Sequence, residues 1–303
     1  MEKKLSIGGQ AVMEGVMIKS PRFITIAVRR KNGSIASKKE RLKKHKLWKK
    51  LFLMRGMVNL MEMLVYGIKA LTWSANQNAE KEEKLTKKEL ILTLALSIAL
   101  ALAIFVALPY ALTFWLGVYE ETRPLLFNLV DAVIKISLFL LYLWGISFSK
   151  DVRRLFQYHG AEHKSIYCYE AGKKLDVRNV RPFSTLHPRC GTSFIMLVFI
   201  ISVLVFALWP FIIMHFFPYF ISISFWERRL ILFVLRIASI PLIAGLAYEF
   251  LKWSAKHKDN FIVSLLVQPG LWLQKITTRE PDASQIEVAL HAVKSALALE
   301  RNK

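Results

Sequence analysis

The sequence predicts an all-α polytopic membrane protein with about four transmembrane helices, preceded by a small cytosolic segment that contains a β-hairpin. Four apolar runs are each long enough to cross a bilayer as a helix, which takes about 20 residues. Of the 303 residues, 54% are hydrophobic, and the mean hydropathy is +0.35. The formal net charge is nevertheless +21. High apolar content combined with strong basic charge is typical of a membrane protein with basic cytoplasmic parts.

Residues 1–50 form the predicted cytosolic segment. Its first motif, Gly8–Met17, reads GGQAVMEGVM and lacks the Gly-Lys-Ser/Thr that ends a P-loop. We therefore interpret it as tight turns that let the backbone pack closely, with Glu14 as the carboxylate that could carry a function. The segment ends in a basic run, Lys38–Lys50. Such a run predicts binding to anionic lipid headgroups or, alternatively, to the phosphates of ribosomal RNA.

A β-hairpin is predicted between these two motifs. Phe23–Arg30 is predicted to form a strand. Asn32-Gly33 is a strong signal for a two-residue hairpin turn, after which the chain returns through Ile35.

Residues 51–88 are predicted to hold an amphipathic, membrane-associated helix and then a charged linker. The helix, 51–73, is apolar except for Arg55, Glu62 and Lys69. These three recur every seven residues and therefore share one helix face. A helix with a single charged stripe lies in the membrane interface or packs against the helix bundle, so we do not count it as a span.

Four transmembrane helices are predicted in two pairs, within residues 89–148 and 191–251. By length and hydropathy the spans are about 89–117, 124–148, 191–218 and 228–251. Pro109 predicts a kink in the first span. The short joins are poor in Lys and Arg, whereas the N-terminal segment, the 149–190 loop and the 252–303 tail are rich in them. The positive-inside rule therefore places both termini and the loop in the cytosol.

Charged side chains inside the predicted spans need partners, because a charge in a bilayer is costly. Asp131 and Lys135 lie four residues apart and are predicted to pair with each other. Arg236 lies deep in the fourth span, where Asp131 or Glu249 could pair with it. We favour structural pairing over ion or solute transport, since no broken-helix repeat indicates a transporter.

The 149–190 loop holds the pattern that points to chemistry. His159 and His163 lie four residues apart, about 40° apart around a helix axis, so they share one face. Glu162 precedes the second histidine. The three residues match the H-x-x-E-H arrangement, in which two imidazoles bind a metal beside a carboxylate. Glu162 would then orient or polarise a water on the ion.

A third ligand is expected, because a catalytic zinc takes three protein ligands and leaves one position for water. His187 or Cys190 could supply it, and both lie at the end of the same loop. A thiol at a helix N-terminus is also a candidate nucleophile, which is a second role open to Cys190. Cys168 faces the other side of the helix, and Glu170 lies too far along it to share the ion. The expected cofactor is a divalent metal, with zinc as the first candidate.

The 252–303 tail is predicted to contain an interfacial segment and a C-terminal helix. Residues 260–274 are apolar but too short and interrupted to span a bilayer. Ser284 is a suitable N-cap for the final helix. The apolar face of that helix, which includes Ile286 and Leu290, should dock on the cytosolic segment.

Four motifs, taken together, resemble the YqhQ-like family of bacterial membrane proteins: GGQAVMEGVMIKSP, FQYHGAEHKSIYCYE, HPRCGTSF and PGLWLQKITTREPDASQIEVAL. They cover nearly the whole chain in the same order. The resemblance implies a multi-pass protein of the bacterial inner membrane and a domain of unknown function that is sometimes labelled a predicted metal-dependent enzyme. Under that label, the most polar motifs of the family contain five residues of this chain: His159, Glu162, His163, His187 and Cys190.

Two functional hypotheses follow from these observations. The preferred one is a metal-dependent enzyme, hydrolytic and acting on a lipid or membrane peptide, with its site at the cytosolic membrane face. The alternative is a non-catalytic scaffold or membrane-protein biogenesis factor whose basic surface binds the ribosome or anionic lipid. The alternative predicts binding that weakens steeply with salt.

Overall fold

The computed structural model describes residues 5–42, 51–78, 86–254, 257 and 260–301. Most of the basic run Lys38–Lys50 and most of the predicted linker lie outside the described residues. The described chain is mostly helical, with an antiparallel four-stranded sheet at its N-terminal end. The predicted helical class is confirmed, whereas the single predicted hairpin is part of a larger sheet.

The strands are β1 (Gly8–Val12), β2 (Gly15–Lys19), β3 (Phe23–Arg29) and β4 (Ile35–Arg41). The α-helices of the described residues are α1 (Met54–Asn78), α2 (Lys87–Leu102), α3 (Leu108–Trp115), α4 (Pro124–Ile146), α5 (Lys150–Glu170), α6 (Val177–Val180), α7 (Gly191–Phe216), α8 (Phe225–Ser254), α9 (Phe261–Thr277) and α10 (Ala283–Arg301).

The sheet is a meander in which each strand pairs with the next, in the order β1-β2-β3-β4. The predicted hairpin is β3–β4, but its loop is longer than the two residues expected. Arg30 donates its N–H to the Ser34 carbonyl at 2.9 Å, so three residues lie between them. Gly33 ends this loop with a φ of 83°. A left-handed glycine in a three-residue loop is a common alternative to the two-residue turn.

The glycine-rich motif forms the first hairpin, β1–β2, in agreement with the tight-turn interpretation. Val12 pairs with Gly15, and Glu14 lies in the turn between them. Glu14 has a φ of 53°, which is uncommon for a residue with a side chain. Its two carboxylate oxygens each accept a hydrogen bond from Arg154 at 2.5 Å. This bidentate pair ties the turn to α5.

Both faces of the two central strands, β2 and β3, are buried, which explains why these strands are apolar on both sides. Val16 and Ile18 of β2 belong to a core shared with α5 and α10. Met17 and Ile26 face the other way, towards Ala70 of α1. The C-terminal helix α10 therefore packs on the sheet, although 241 residues lie between the end of β4 and the start of α10.

Four helices of the described residues are long and apolar enough to cross a membrane: Lys88–Trp115, Pro124–Ile146, Gly191–Phe216 and Phe225–Ser254. They agree with the four predicted spans to within a few residues. In the first, a five-residue π-helical turn, Ala103–Ala107, comes just before Pro109. Proline cannot donate a backbone hydrogen bond, and such turns often accommodate that loss.

Three charged residues of α4 and α8 form a buried group of balanced charge with Glu120, which lies in the join between α3 and α4. Lys135 Nζ lies 3.0 Å from Asp131 Oδ2, as predicted. Arg236 contacts the same Asp131 oxygen at 3.3 Å and Glu120 Oε1 at 2.9 Å. Two cations thus face two carboxylates, which favours a structural role for these charges over ion or solute transport.

Helix α1 packs against both α8 and the sheet. Arg55 pairs with Glu249 of α8, so Glu249 has a partner other than Arg236. Glu62 accepts a hydrogen bond from Lys19 of β2 at 3.1 Å. Two charged residues of the predicted stripe therefore bind neighbouring elements, and they connect the apolar helices to the sheet.

Candidate metal centre

Helix α5 carries both histidines and Glu162 on one face, as their spacing predicts. The helix continues through Gly160, where the missing side chain allows another segment to approach. A Cβ at Gly160 would meet the Arg279 carbonyl and would lie 3.2 Å from Thr185 Cγ2. Arg279 also donates its N–H to the Phe156 carbonyl at 2.9 Å. The backbone that follows α9 therefore crosses α5 beside the histidines.

Backbone carbonyls orient both imidazoles. His159 Nδ1 lies 2.8 Å from the Thr277 carbonyl oxygen, and His163 Nδ1 is hydrogen-bonded to the Thr185 carbonyl oxygen. A carbonyl only accepts, so in each neutral ring Nδ1 carries the hydrogen and Nε2 keeps its lone pair. Metal-bound histidines are usually held in this way.

Cys190 brings a sulfur to the same point. It is buried and is the N-cap of α7, and its Sγ lies 3.2 Å from His159 Nε2. One ligand atom from each of His159, His163 and Cys190 lies within 4.8 Å of the others. Zinc bound to nitrogen at about 2.0–2.1 Å and to sulfur at about 2.3 Å would hold the two roughly 3.5 Å apart in a tetrahedron. The observed 3.2 Å is about 0.3 Å shorter than this, so a bound ion would require only a small movement of the two side chains.

Glu162 lies beside this cluster and is 3% exposed. Its Oε2 is 3.5 Å from His163 Nε2, and the N–H of Gly9 in β1 donates to its carboxylate. Burial raises the pKa of Glu162, against the opposing effect of nearby imidazoles. Burial also lowers the pKa of His163, which favours the neutral imidazole that a metal requires.

His187 lies next to the cluster but outside the group of three. Its ring centroid is 5.6 Å from that of His163. Its Nδ1 accepts the N–H of Arg189 at 3.2 Å, so the neutral ring carries its hydrogen on Nε2, 3.6 Å from Glu170. Of the two candidates for the third ligand, it is Cys190 that lies with the two histidines.

The second cysteine, Cys168, lies away from the cluster in the core between the sheet, α5 and α10. Its Sγ is 3.5 Å from the Lys174 carbonyl oxygen, and burial raises the pKa of its thiol. This placement agrees with the prediction that it faces the other side of the helix.

Gln274 holds the loop that carries Cys190, and our sequence reasoning missed it. The side chain is fully buried. It accepts the His187 N–H at 2.7 Å, donates to the His187 carbonyl at 2.9 Å and donates to Ser193 Oγ at 3.2 Å. Helix α9 can pack this closely because Gly270 lacks a Cβ, which would lie 2.6 Å from Ser193. Gln274 is one of two glutamines in the largely apolar stretch 261–274, and this was the available signal.

The fold and the cluster together define a class of protein: four apolar helices joined to a sheet-containing layer, with a His/Cys cluster where the two meet. The family described as "Protein of unknown function (DUF1385)" matches residues 51–299. "Uncharacterized protein YqhQ" of Bacillus subtilis (strain 168) is 34% identical over 312 residues, covering 97% of this chain and 92% of the relative. The chain belongs to the DUF1385 family, which confirms the YqhQ-like resemblance. No solved structure matches it.

Proposed function

We propose that this chain is a multi-pass protein of the cell membrane that binds one zinc ion through His159, His163 and Cys190 and uses it for hydrolysis at the cytosolic face. The basic residues outside the four apolar helices support this orientation, because the positive-inside rule favours the cytosol for the N-terminal layer, the 149–190 loop and the tail.

The orientation of the two imidazoles carries the proposal. Their Nδ1 hydrogens are donated to carbonyls, and the remaining nitrogens of His159 and His163 both approach the Cys190 thiol. A thiol has one hydrogen to donate and cannot satisfy two lone pairs. The nearest Glu162 oxygen lies 3.5 Å from His163 Nε2, which is longer than a normal hydrogen bond. A zinc ion would satisfy both nitrogens and the sulfur, and it would leave a fourth position open, as in catalytic zinc sites.

Bound zinc would supply a Lewis acid and lower the pKa of a coordinated water towards neutrality. Glu162, whose Oε2 lies 3.5 Å from His163 Nε2, is the group that would take a proton from such a water. Burial raises its pKa, and a general base works best when its pKa lies near the working pH. We therefore assign Glu162 as the base and Cys190 as a ligand rather than as a nucleophile.

The position of the centre favours a substrate at the membrane surface. Cys190 caps α7, which is one of the four candidate spans. A group hydrolysed there would lie at the level where α7 enters the bilayer. A lipid or a membrane-bound peptide fits this location, and we propose a substrate of that kind.

Metal analysis of protein purified without a His tag tests the ligand set. We expect about one zinc per chain in the wild type, as for a three-ligand site, and loss of zinc in His163→Ala and Cys190→Ser. Cys168→Ser and His291→Ala are matched controls, because they change the same residue types outside the cluster and should keep zinc. Full zinc content in Cys190→Ser would contradict the proposed ligand set.

Glu162→Gln tests the chemistry separately, because it removes the base and keeps the ligands. We expect this variant to retain zinc. We also expect cells that carry only Glu162→Gln or only His163→Ala to accumulate the same lipid or peptide, detected by mass spectrometry against wild-type cells. If both variants match the wild type, the chain does not hydrolyse a membrane substrate.

A second candidate function rests on the edge of the sheet. Strand β4 is an edge strand that carries Lys38, Lys39 and Arg41, directly before the basic residues 43–50. A non-catalytic scaffold or biogenesis factor would bind the ribosome or anionic lipid there. Charge reversal at Lys38 and Lys39 would then reduce salt-sensitive co-sedimentation with ribosomes or liposomes, whereas His163→Ala would leave it unchanged.

A further inference from the structure

A cavity of about 610 Å³ opens between the start of α1, α7 and the end of α8. Its volume lies within the usual range of ligand sites. Its apolar lining consists of Phe52, Ile201, Leu246, Phe250 and Trp253. Helices α7 and α8 are consecutive, in contact and joined by a short loop, so the start of α7 and the end of α8 lie on the same side. The part of the cavity at Lys252 and Trp253 therefore lies on the same side as the metal centre.

The lining changes from apolar to charged along α8. Leu246 precedes Trp253 by seven residues, or about 10 Å of helix, and so lies deeper in the candidate span. Glu249 and Lys252 lie nearer the end of the helix, where Arg55 of α1 also contributes. Lysine and tryptophan at the end of a span are typical of the headgroup level of a bilayer. The cavity thus has an apolar inner part and a charged outer part.

The charged part carries one net positive charge, from two cations and one carboxylate. Arg55 and Glu249 pair and cancel, which leaves the charge of Lys252. The Arg55 side chain is 28% exposed, against 9% for Glu249. The cation of that pair therefore remains more accessible than the anion, and the outer part is complementary to an anionic group.

We propose that this cavity binds one anionic phospholipid of the surrounding bilayer, with its phosphate at Lys252 and Arg55 and one acyl chain along Ile201 and Leu246. The proposal rests on the membrane insertion in the proposed function but not on zinc or hydrolysis. A zwitterionic lipid should bind less tightly at this site, because the cation of its own headgroup offsets the attraction of its phosphate to Lys252.

Native mass spectrometry of the detergent-purified full chain, titrated with phosphatidylglycerol or phosphatidylcholine, tests the site. We expect one phosphatidylglycerol to bind in preference to phosphatidylcholine, and the preference to fall about fivefold or more in Lys252→Glu. Lys294→Glu is the matched control, because Lys294 is an exposed lysine on α10, and it should keep the preference. Leu246→Trp fills the apolar part and should weaken binding of both lipids.

Equal binding of the two lipids by the wild type would overturn the proposal, and so would an unchanged preference in Lys252→Glu. Ile201→Trp fills the cavity from the α7 side. This variant is used in the experiment if Leu246→Trp does not fold. Unchanged lipid binding in a folded tryptophan variant also overturns the proposal. Zinc content is measured on the same samples, so failure of the lipid site is distinguishable from failure of the metal centre.

Discussion

Replacement of Gly160 by alanine would improve the helix propensity of α5 but would worsen its tertiary packing. In a helix interior alanine is favoured over glycine by about 1 kcal/mol, so the local sequence alone predicts a more stable protein. At this position, however, the new methyl group would meet the Arg279 carbonyl and would lie 3.2 Å from Thr185 Cγ2. Relief requires the segment 278–282 to move away from α5, which would break the 2.9 Å hydrogen bond from Arg279 to the Phe156 carbonyl.

The expected net effect is destabilisation. Overpacking costs about 1–3 kcal/mol, and loss of the hydrogen bond costs about 1 kcal/mol. The propensity gain offsets about 1 kcal/mol, so about 1–3 kcal/mol is lost, or about 2–5 °C in Tm for a chain of this length. Zinc affinity should also fall, because the displaced backbone adjoins the Thr185 and Thr277 carbonyls that orient the two histidines.

Thermal unfolding in detergent, with and without zinc, measures both effects. Gly145→Ala is the matched control, because Gly145 also lies in a helix, α4. Apart from the adjacent backbone of that helix, no described atom lies within 4 Å of the Cβ that alanine would add. It should be neutral or slightly stabilising. A Gly160→Ala protein that melts at or above the wild-type temperature would refute the close approach to α5.

The remaining predictions concern the loop before Cys190, the metal and the buried charges. Gln274→Leu removes two hydrogen bonds to this loop and one to Ser193 of α7, and it should weaken zinc binding about 10–100-fold. Competition with a chromophoric chelator measures this, and unchanged affinity would contradict a positioning role. Zinc removal with EDTA should lower the Tm of the wild type but not that of Cys190→Ser. An equal fall in Tm for both proteins would mean that zinc binds at another site. Arg236→Met leaves Glu120 without its cation and leaves Asp131 with Lys135 alone. It should cost about 3–5 kcal/mol, seen as a lower yield of folded protein. Adding Glu120→Gln should restore part of that yield, and no restoration would argue against the pairing.

Local sequence was sufficient for the apolar helices and for one half of the candidate site. A run of about 20 apolar residues predicts a membrane-spanning helix wherever it occurs, so the predicted spans differ from the helices by only a few residues. The spacing of His159 and His163 put them on one face because the helical period is itself local. The same holds for the turn at Asn32-Gly33, although its loop length was wrong.

Only the tertiary structure decided which of the two candidate residues lies with the histidines and what holds the histidines in place. Gln274 of α9, 87 residues after His187, hydrogen-bonds the backbone N–H and carbonyl of His187. These bonds fix the loop so that Cys190 rather than His187 joins the cluster. The Thr277 and Thr185 carbonyls accept hydrogen bonds from the two histidines, and the N–H of Gly9 donates to Glu162. Every residue carries the same N–H and C=O, so residue type cannot mark the ones that will act. Their roles arise only when distant segments pack together, which is a property of the whole fold.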